Sequence, residues 1–415
     1  MTASDRGGGQ PRPFAILGVL AATNLVAYAA RNALVGVYPA LRARYGVSNA
    51  ELGLLATVFM LPHAAATLPY GWAGDRLDRR RVIAAGMTIA SVGGAAAALA
   101  PNYLALGATR AFVGLGTAAV VPVANSILGQ VFAGPEKARR MSVFNLGLLL
   151  GGVFGIGLGP VLGFPVIVMA FAIPGAALAA AIALMALPPA PTHPHAASLV
   201  ELARGFYADS RELLQLRTLR WVIASTTAMA FAAGAFAAWL KDFLEDPTGK
   251  SMTQAQSTTL LGVALLGGVA GIIVGGQVSD RLARRLVTGR LWTIVLGMTL
   301  TVPFAIAALE LPAGPALYVA SIGTMFFISW YHAPMAATVD DLAPPGKAVA
   351  AQGLVIFTMH MLGTSPSTWV VGQVSDWLHD LHDALWVPTG LVVVAAVCMA
   401  MATRTFAADA HAKRP

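Results

Sequence analysis

Long apolar stretches interrupted by short polar ones run along nearly the whole chain. Six of them, at 14–39, 52–72, 82–100, 103–132, 141–163 and 165–187, are each long enough to cross a bilayer as a helix. Six more follow at 219–240, 258–278, 291–311, 316–339, 348–372 and 384–405. Between the two sets, residues 189–218 begin with a Pro-rich stretch. They continue with Leu199, Leu202, Phe206, Leu213 and Leu216 spaced among charges, the pattern of an amphipathic surface helix. The pattern predicts an all-α membrane protein of twelve transmembrane helices. An N-terminal bundle spans 14–188, a linker 189–218 and a C-terminal bundle 219–405. The first run is too long for a removable signal peptide and lacks a small-residue cleavage site.

Composition agrees. Of the 415 residues 57% are apolar and only 11% charged, whereas soluble domains carry about 25% charge. One cysteine, Cys398, rules out a disulfide framework. The net charge of +8 would suit a nucleic-acid partner, but its placement points elsewhere. Of 27 Lys and Arg, 21 fall in the tails, the linker and alternate loops on one side. Arg42, Arg44, Lys241 and Lys250 fall on the other side, and Arg31 and Arg110 lie inside spans. Basic loops mark the cytoplasmic face, so both termini are expected in the cytoplasm of a cell with the protein in its inner (plasma) membrane. No nucleic-acid role is expected.

The halves repeat. YGWAGDRLDRRR at 70–81 follows the second span and GGQVSDRLARRL at 275–286 follows the eighth, while the fragment VGQVSD returns at 371–376 after the eleventh. Duplicated six-helix halves with a site between them describe many secondary transporters. GDRLDRRR, the RAFVGLG of the fourth span and the GLLLGGVFGIGLGP of the fifth resemble the signatures of the major facilitator superfamily. YAARNALVGV at 28–37, GAFAAWLKDFLE in the seventh span and HMLGTSPSTWVVGQVSD in the eleventh are similar to the Spinster branch of lipid and lysolipid transporters. The resemblance implies two pseudo-symmetric six-helix bundles working by alternating access. Two positions depart from it: Ala30 stands where an acidic residue precedes the helix-one arginine, and Thr117 where a glutamate follows the helix-four glycines.

Arg31 and Arg110 each lie eight residues from a span end, about 12 Å deep. A charge at that depth requires a partner or a cavity, and a guanidinium fork matches phosphate or carboxylate. Asn24, Tyr28 and Arg31 share one helix face, expected to line the cavity; Thr117 shares a face with Arg110. Asn125, Trp239, Trp330, Tyr331 and His332 complete the expected substrate site. Asp75, Arg76, Arg79 and Arg80, with the repeat copies Asp280 and Arg281, are the expected gating set, a carboxylate capping a neighbouring helix. His63, His332 and His360 are the candidate proton-coupling groups, because carboxylates are absent from Ala30 and Thr117.

HDLHD at 379–383 offers metal-ligand types without a further element of known spacing, so no metal is expected. There is no phosphate-cradling Gly loop followed by Lys-Ser or Lys-Thr, and Ser365 lies in no Gly-x-Ser-x-Gly turn. The chain is therefore expected to be no enzyme, to need no cofactor and to act as a monomer. Its expected cargo is an anionic amphipathic lipid, a lysophospholipid or a phosphorylated sphingoid-like lipid. The alternatives are a small organic anion carrier, or a drug/proton antiporter suggested by the glycine-rich fifth span. Membrane lipids are its other expected partners.

Overall fold

The computed structural model describes residues 13–132, 136–188, 198–344 and 347–411, and among them every regular element is helical. Among the described residues ten helical stretches are long and apolar enough to cross a membrane. The tenth and eleventh expected spans are made of shorter pieces. The tenth comprises Pro315–Ile328, a 3-10 turn at Ser329–Tyr331 and His332–Leu342; the eleventh comprises Ala348–Thr358, a π segment at Met359–Thr364 and Ser365–Leu378. With these the chain has the twelve membrane segments of the fold.

The first and fourth spans are broken as well. The first is Pro13–Asn32, a 3-10 turn at Val35–Val37 and Tyr38–Tyr45; the fourth is Tyr103–Thr117 followed by Val120–Val131. Every break sits just ahead of a proline: Pro39, Pro122, Pro334 and Pro366 each lie in the first turn of the helix that resumes. Proline has no N–H for the carbonyl four residues back, so the preceding turn loses its normal partner. Yet Pro62, Pro69, Pro160, Pro174 and Pro303 lie inside continuous helices. Packing therefore decides which prolines open a helix.

The chain divides into two compact units, Met1–Tyr45 with Leu61–Leu199, and Gly46–Met60 with Val200–Pro415. The second span, Asn49–Arg76, thus contributes its first part to the second unit. In the first unit the glycines of the fifth span form a stripe at every fourth residue against the first span. An added Cβ would lie 2.8 Å from the Leu25 nitrogen at Gly147, 2.6 Å from the Ala29 oxygen at Gly155 and 2.7 Å from the Gly36 Cα at Gly159; at Gly151 it would strike the Leu25 carbonyl. Asn24 ties the same pair of helices, donating from Nδ2 to the Phe144 carbonyl at 2.9 Å. The glycine-rich run that suggested an antiporter is thus accounted for by close helix packing.

The second unit has an aliphatic core that includes Val222, Met229, Ile294, Met298, Val339, Leu354 and Met399. The linker helix Leu199–Leu213 docks on this unit. Leu213 is buried in that core, the Phe206 ring meets Phe357 edge-on at 5.9 Å, and Lys347 reaches Asp209 at 3.0 Å and Glu212 at 2.5 Å. Those carboxylates hold the Lys347 ammonium above its ordinary pKa, Glu212 first and Asp209 next. Lys241, expected in a loop, lies inside the helix Arg217–Glu245, 7% exposed and 2.6 Å from Glu245 one turn on. Ser257 of the eighth span also donates to Glu245. The helix outruns the apolar stretch because this i,i+4 pair neutralises the charge it buries.

Candidate functional site

In the first unit the expected residues separate into distinct roles. The first helix ends one residue beyond Arg31, which places Arg31 in its last turn. Arg110 of the fourth span is 4% exposed and donates from Nη1 to the Ala30 carbonyl at 3.1 Å and from Nη2 to the Arg31 carbonyl at 2.7 Å. These are the acceptors that a break after Asn32 leaves without helical donors. Arg110 therefore holds the break together, and both of its terminal nitrogens are used on backbone. The Arg31 guanidinium lies 5.8 Å from the Tyr28 ring centroid, within cation–π range.

Asn24 is 1% exposed and faces the fifth span, so it joins helices in this structure rather than lining a cavity. One small cavity opens in this unit. Val26, Ala30, Met87, Ser91, Val113 and Phe171 line it along with Arg110 and Thr117, and Arg31, Tyr28, Asn24 and Asn125 do not border it. Asn125, half-buried in the second piece of the fourth span, leaves its Oδ1 without a hydrogen-bond partner among the described residues. Thr117 donates to the Val113 carbonyl at 2.9 Å, and its hydroxyl oxygen lies 3.1 Å from Nδ1 of His63. The same nitrogen is 3.2 Å from the Gly114 carbonyl. The histidine of the second span thus stands against Thr117.

Of the expected gating set, the side chains of Asp75 and Arg76 lie outside the described residues. Arg79 is 1% exposed and donates to the Gly74 carbonyl, to Gln130 Oε1 and to Ser126 Oγ, at 3.0, 2.7 and 2.7 Å. It fastens the loop to the fourth span within the first unit. Asp78 caps the helix Arg79–Ala98 through the Arg80 N–H and pairs with the Arg80 guanidinium at 2.9 Å. That hydrogen bond pulls the Asp78 carboxyl below its usual range. The repeat copies Asp280 and Arg281 are exposed.

In the second unit Trp330 is 7% exposed, wedged where Gly275 and Gly297 leave room and packed on Phe326 and Phe327. Tyr331 follows it, with its ring 4.1 Å from that of His332, which is exposed at the restart of the tenth span. Trp239 is fully buried and donates from Nε1 to the Thr368 carbonyl at 3.0 Å, so in this structure it offers no face to a ligand. His360 lies in the π segment, a local widening that recurs at functional sites. In the HDLHD loop, Asp380 caps the short helix Leu381–Ala384, and the two ring nitrogens of His382 lie 3.1 Å from Glu310 and from Asp383.

The third fragment of the repeat proves the most informative, and no expectation named its aspartate. Asp376 accepts from the backbone N–H of Asn49 through Oδ1 at 3.0 Å and of Ala50 through Oδ2 at 2.8 Å, all within the second unit. Asp376 is thus a carboxylate that caps the start of a neighbouring helix. The recurrence of VGQVSD was the signal for it.

A model of the Major Facilitator Superfamily matches residues 20–368. The chain belongs to that superfamily. Within it the chain is similar to the spinster homolog 3 of Danio rerio, with 27% identity over 405 residues covering 91% of this chain and 80% of the relative. It is also similar to a sphingosine-1-phosphate transporter of Xenopus tropicalis, 25% identical over 401 residues, 90% of this chain and 76% of that one. Among solved structures, a bacterial homolog of the human lysosomal transporter Spinster, inward-facing and unoccupied, matches with a TM-score of 0.80. It covers 97% of this chain and 99% of that chain at 18% identity, and so speaks to the fold. The protein is a multi-pass transporter with the Spinster likeness that its motifs carry.

Proposed function

We propose that this major facilitator moves an anionic amphipathic lipid, a lysophospholipid or phosphorylated sphingoid-like lipid, by alternating access with both termini cytoplasmic. The observation that carries the reading is the division of labour between the two membrane arginines. Arg110 is spent on the carbonyls of Ala30 and Arg31, and the anion-binding role falls to Arg31 beside Tyr28. Arg31 lies in the last turn of the first helix beside Tyr28, and the fork of a guanidinium matches the oxygens of a phosphate head. The similarity to a sphingosine-1-phosphate transporter supports the same cargo class. A proton enters through His63, which stands at Thr117 next to the cavity that Thr117 and Arg110 line.

The test is flux of labelled lysophospholipid in reconstituted vesicles under a clamped potential. Arg31→Ala should reduce flux by roughly 10- to 100-fold, the worth of a charge-assisted bidentate contact. Arg31→Lys should recover part of it. If the intact protein moves no lysolipid but exchanges small carboxylates, the cargo is a small organic anion instead.

A further inference from the structure

The first part of the second span and the second piece of the eleventh meet along a seam within the second unit. Its end is Asp376, whose two oxygens accept the Asn49 and Ala50 N–H groups, and Asn49 Nδ2 donates to Ser375 Oγ at 3.1 Å. One turn along, Gly372 fits so closely that a Cβ would strike the Asn49 carbonyl, and Gly53 is placed likewise against the Thr368 carbonyl. The Thr368 hydroxyl donates to the Gly53 carbonyl at 2.9 Å, and the Thr57 hydroxyl to the Ser365 carbonyl at 2.5 Å. At its two glycines the seam is built from hydrogen bonds over bare backbone.

Such a seam can part without leaving a buried polar group unsatisfied. Threonines elsewhere in these helices donate to the carbonyl four residues back on their own helix, as Thr67 does to His63, Thr226 to Val222, Thr301 to Gly297 and Thr358 to Leu354. Thr57 and Thr368 have the same option, and the carbonyls they would leave keep their helical N–H donors. Asp376 and Asn49 are both partly exposed, so water can replace each in the other's contacts. First-turn N–H groups have no helical acceptor, and the carboxylate meets both their hydrogen-bonding need and the positive end of the helix dipole. The segment Gly46–Met60 that this cap holds is continuous with Leu61, which belongs to the first unit.

We infer that Asp376 is a releasable latch: in one state of the transport cycle its carboxylate caps the second span at Asn49 and Ala50, and in the other the seam from Asn49 to Thr57 opens. The inference rests on the alternating-access reading and on the topology that puts this end outside, but not on the cargo. The test uses the full chain in vesicles, with Cys398→Ala and a reporter cysteine at Ala50, which is 4% exposed. The reporter is labelled from the outer face with a membrane-impermeant maleimide. Asp376→Ala should speed labelling by about tenfold, the worth of one charge-assisted contact pair, while Asp376→Glu stays close to the intact protein.

Should Asp376→Ala fail to fold, Asn49→Pro removes a donor at a helix position that tolerates proline and should give the same acceleration. Combined with Asp376→Ala it should add little, because both break one contact. Equal labelling with and without Asp376, or fast labelling of the intact protein, overturns the latch. Absence of lysolipid flux would sink the cargo and leave the labelling result standing.

Discussion

Arg110 and Arg31 are joined through backbone: the Arg110 guanidinium donates to the Arg31 carbonyl at 2.7 Å and to the Ala30 carbonyl at 3.1 Å. Two like charges are thus tied to one break in the first helix. One guanidinium stabilises the break and the other lies beside Tyr28 in the last turn before it. The two arginines look equivalent in the sequence, and this contact makes them different in kind.

Arg110→Met should therefore act on stability before it acts on transport. Two carbonyl acceptors would lose a charged donor in a setting where water is scarce, costing about 2–4 kcal/mol. Thermal unfolding in detergent should show a lower midpoint, with Arg110→Lys between the two. An unchanged midpoint would return Arg110 to the substrate.

The glycine stripe gives a paired comparison on one helix. Gly155→Ala puts a methyl 2.6 Å from the Ala29 oxygen and should cost about 1–3 kcal/mol, because the first and fifth spans must separate. At Gly157 an added Cβ meets nothing within 4 Å, and Gly157→Ala should be neutral. Equal effects on the unfolding midpoint would contradict the packing account.

His63→Gln keeps a side chain able to hydrogen-bond Thr117 but cannot carry a proton at neutral pH. Downhill lipid flux should persist, while accumulation driven by an imposed pH gradient should disappear. If the intact protein itself ignores the gradient at clamped potential, transport is a potential-sensitive uniport.

Lys347 sets how firmly the linker helix Leu199–Leu213 is held. Its pKa is raised by Glu212 and Asp209, so its contribution is complete below the ordinary lysine value of about 10.4 and is lost as pH rises through the raised one. Lys347→Gln should increase hydrogen exchange in the linker helix at neutral pH. In the intact protein the same increase should appear only in strongly alkaline buffer.

Hydropathy alone gave the spans, because the bilayer demands length and apolarity that little else imitates. Helix ends were less legible. Lys241 marks a loop by charge, yet Glu245 one turn on lets the helix continue. Prolines mark all four breaks, but Pro62 and Pro160 look no different in sequence and break nothing. At the first span the break has a partner from another helix, Arg110, which no local sequence pattern announces. The repeated motif pointed to Asp75 and Asp280 as candidate caps, and Asp376 ends a third fragment of it. Which copy caps a helix depends on which helix start lies beside it, and that is a property of packing between residues 327 positions apart.

The glycine stripe has a mechanical corollary for the proposed binding residue. With Gly147, Gly151, Gly155 and Gly159 seated directly on the first span, and Asn24 bonded to Phe144, those two helices have no room to slide or roll on each other. Arg31 and Tyr28 are then fixed points within their own unit. Whatever opens or closes access to the arginine must be displacement of its surroundings, and the headgroup would meet the same immobile charge from either side of the membrane.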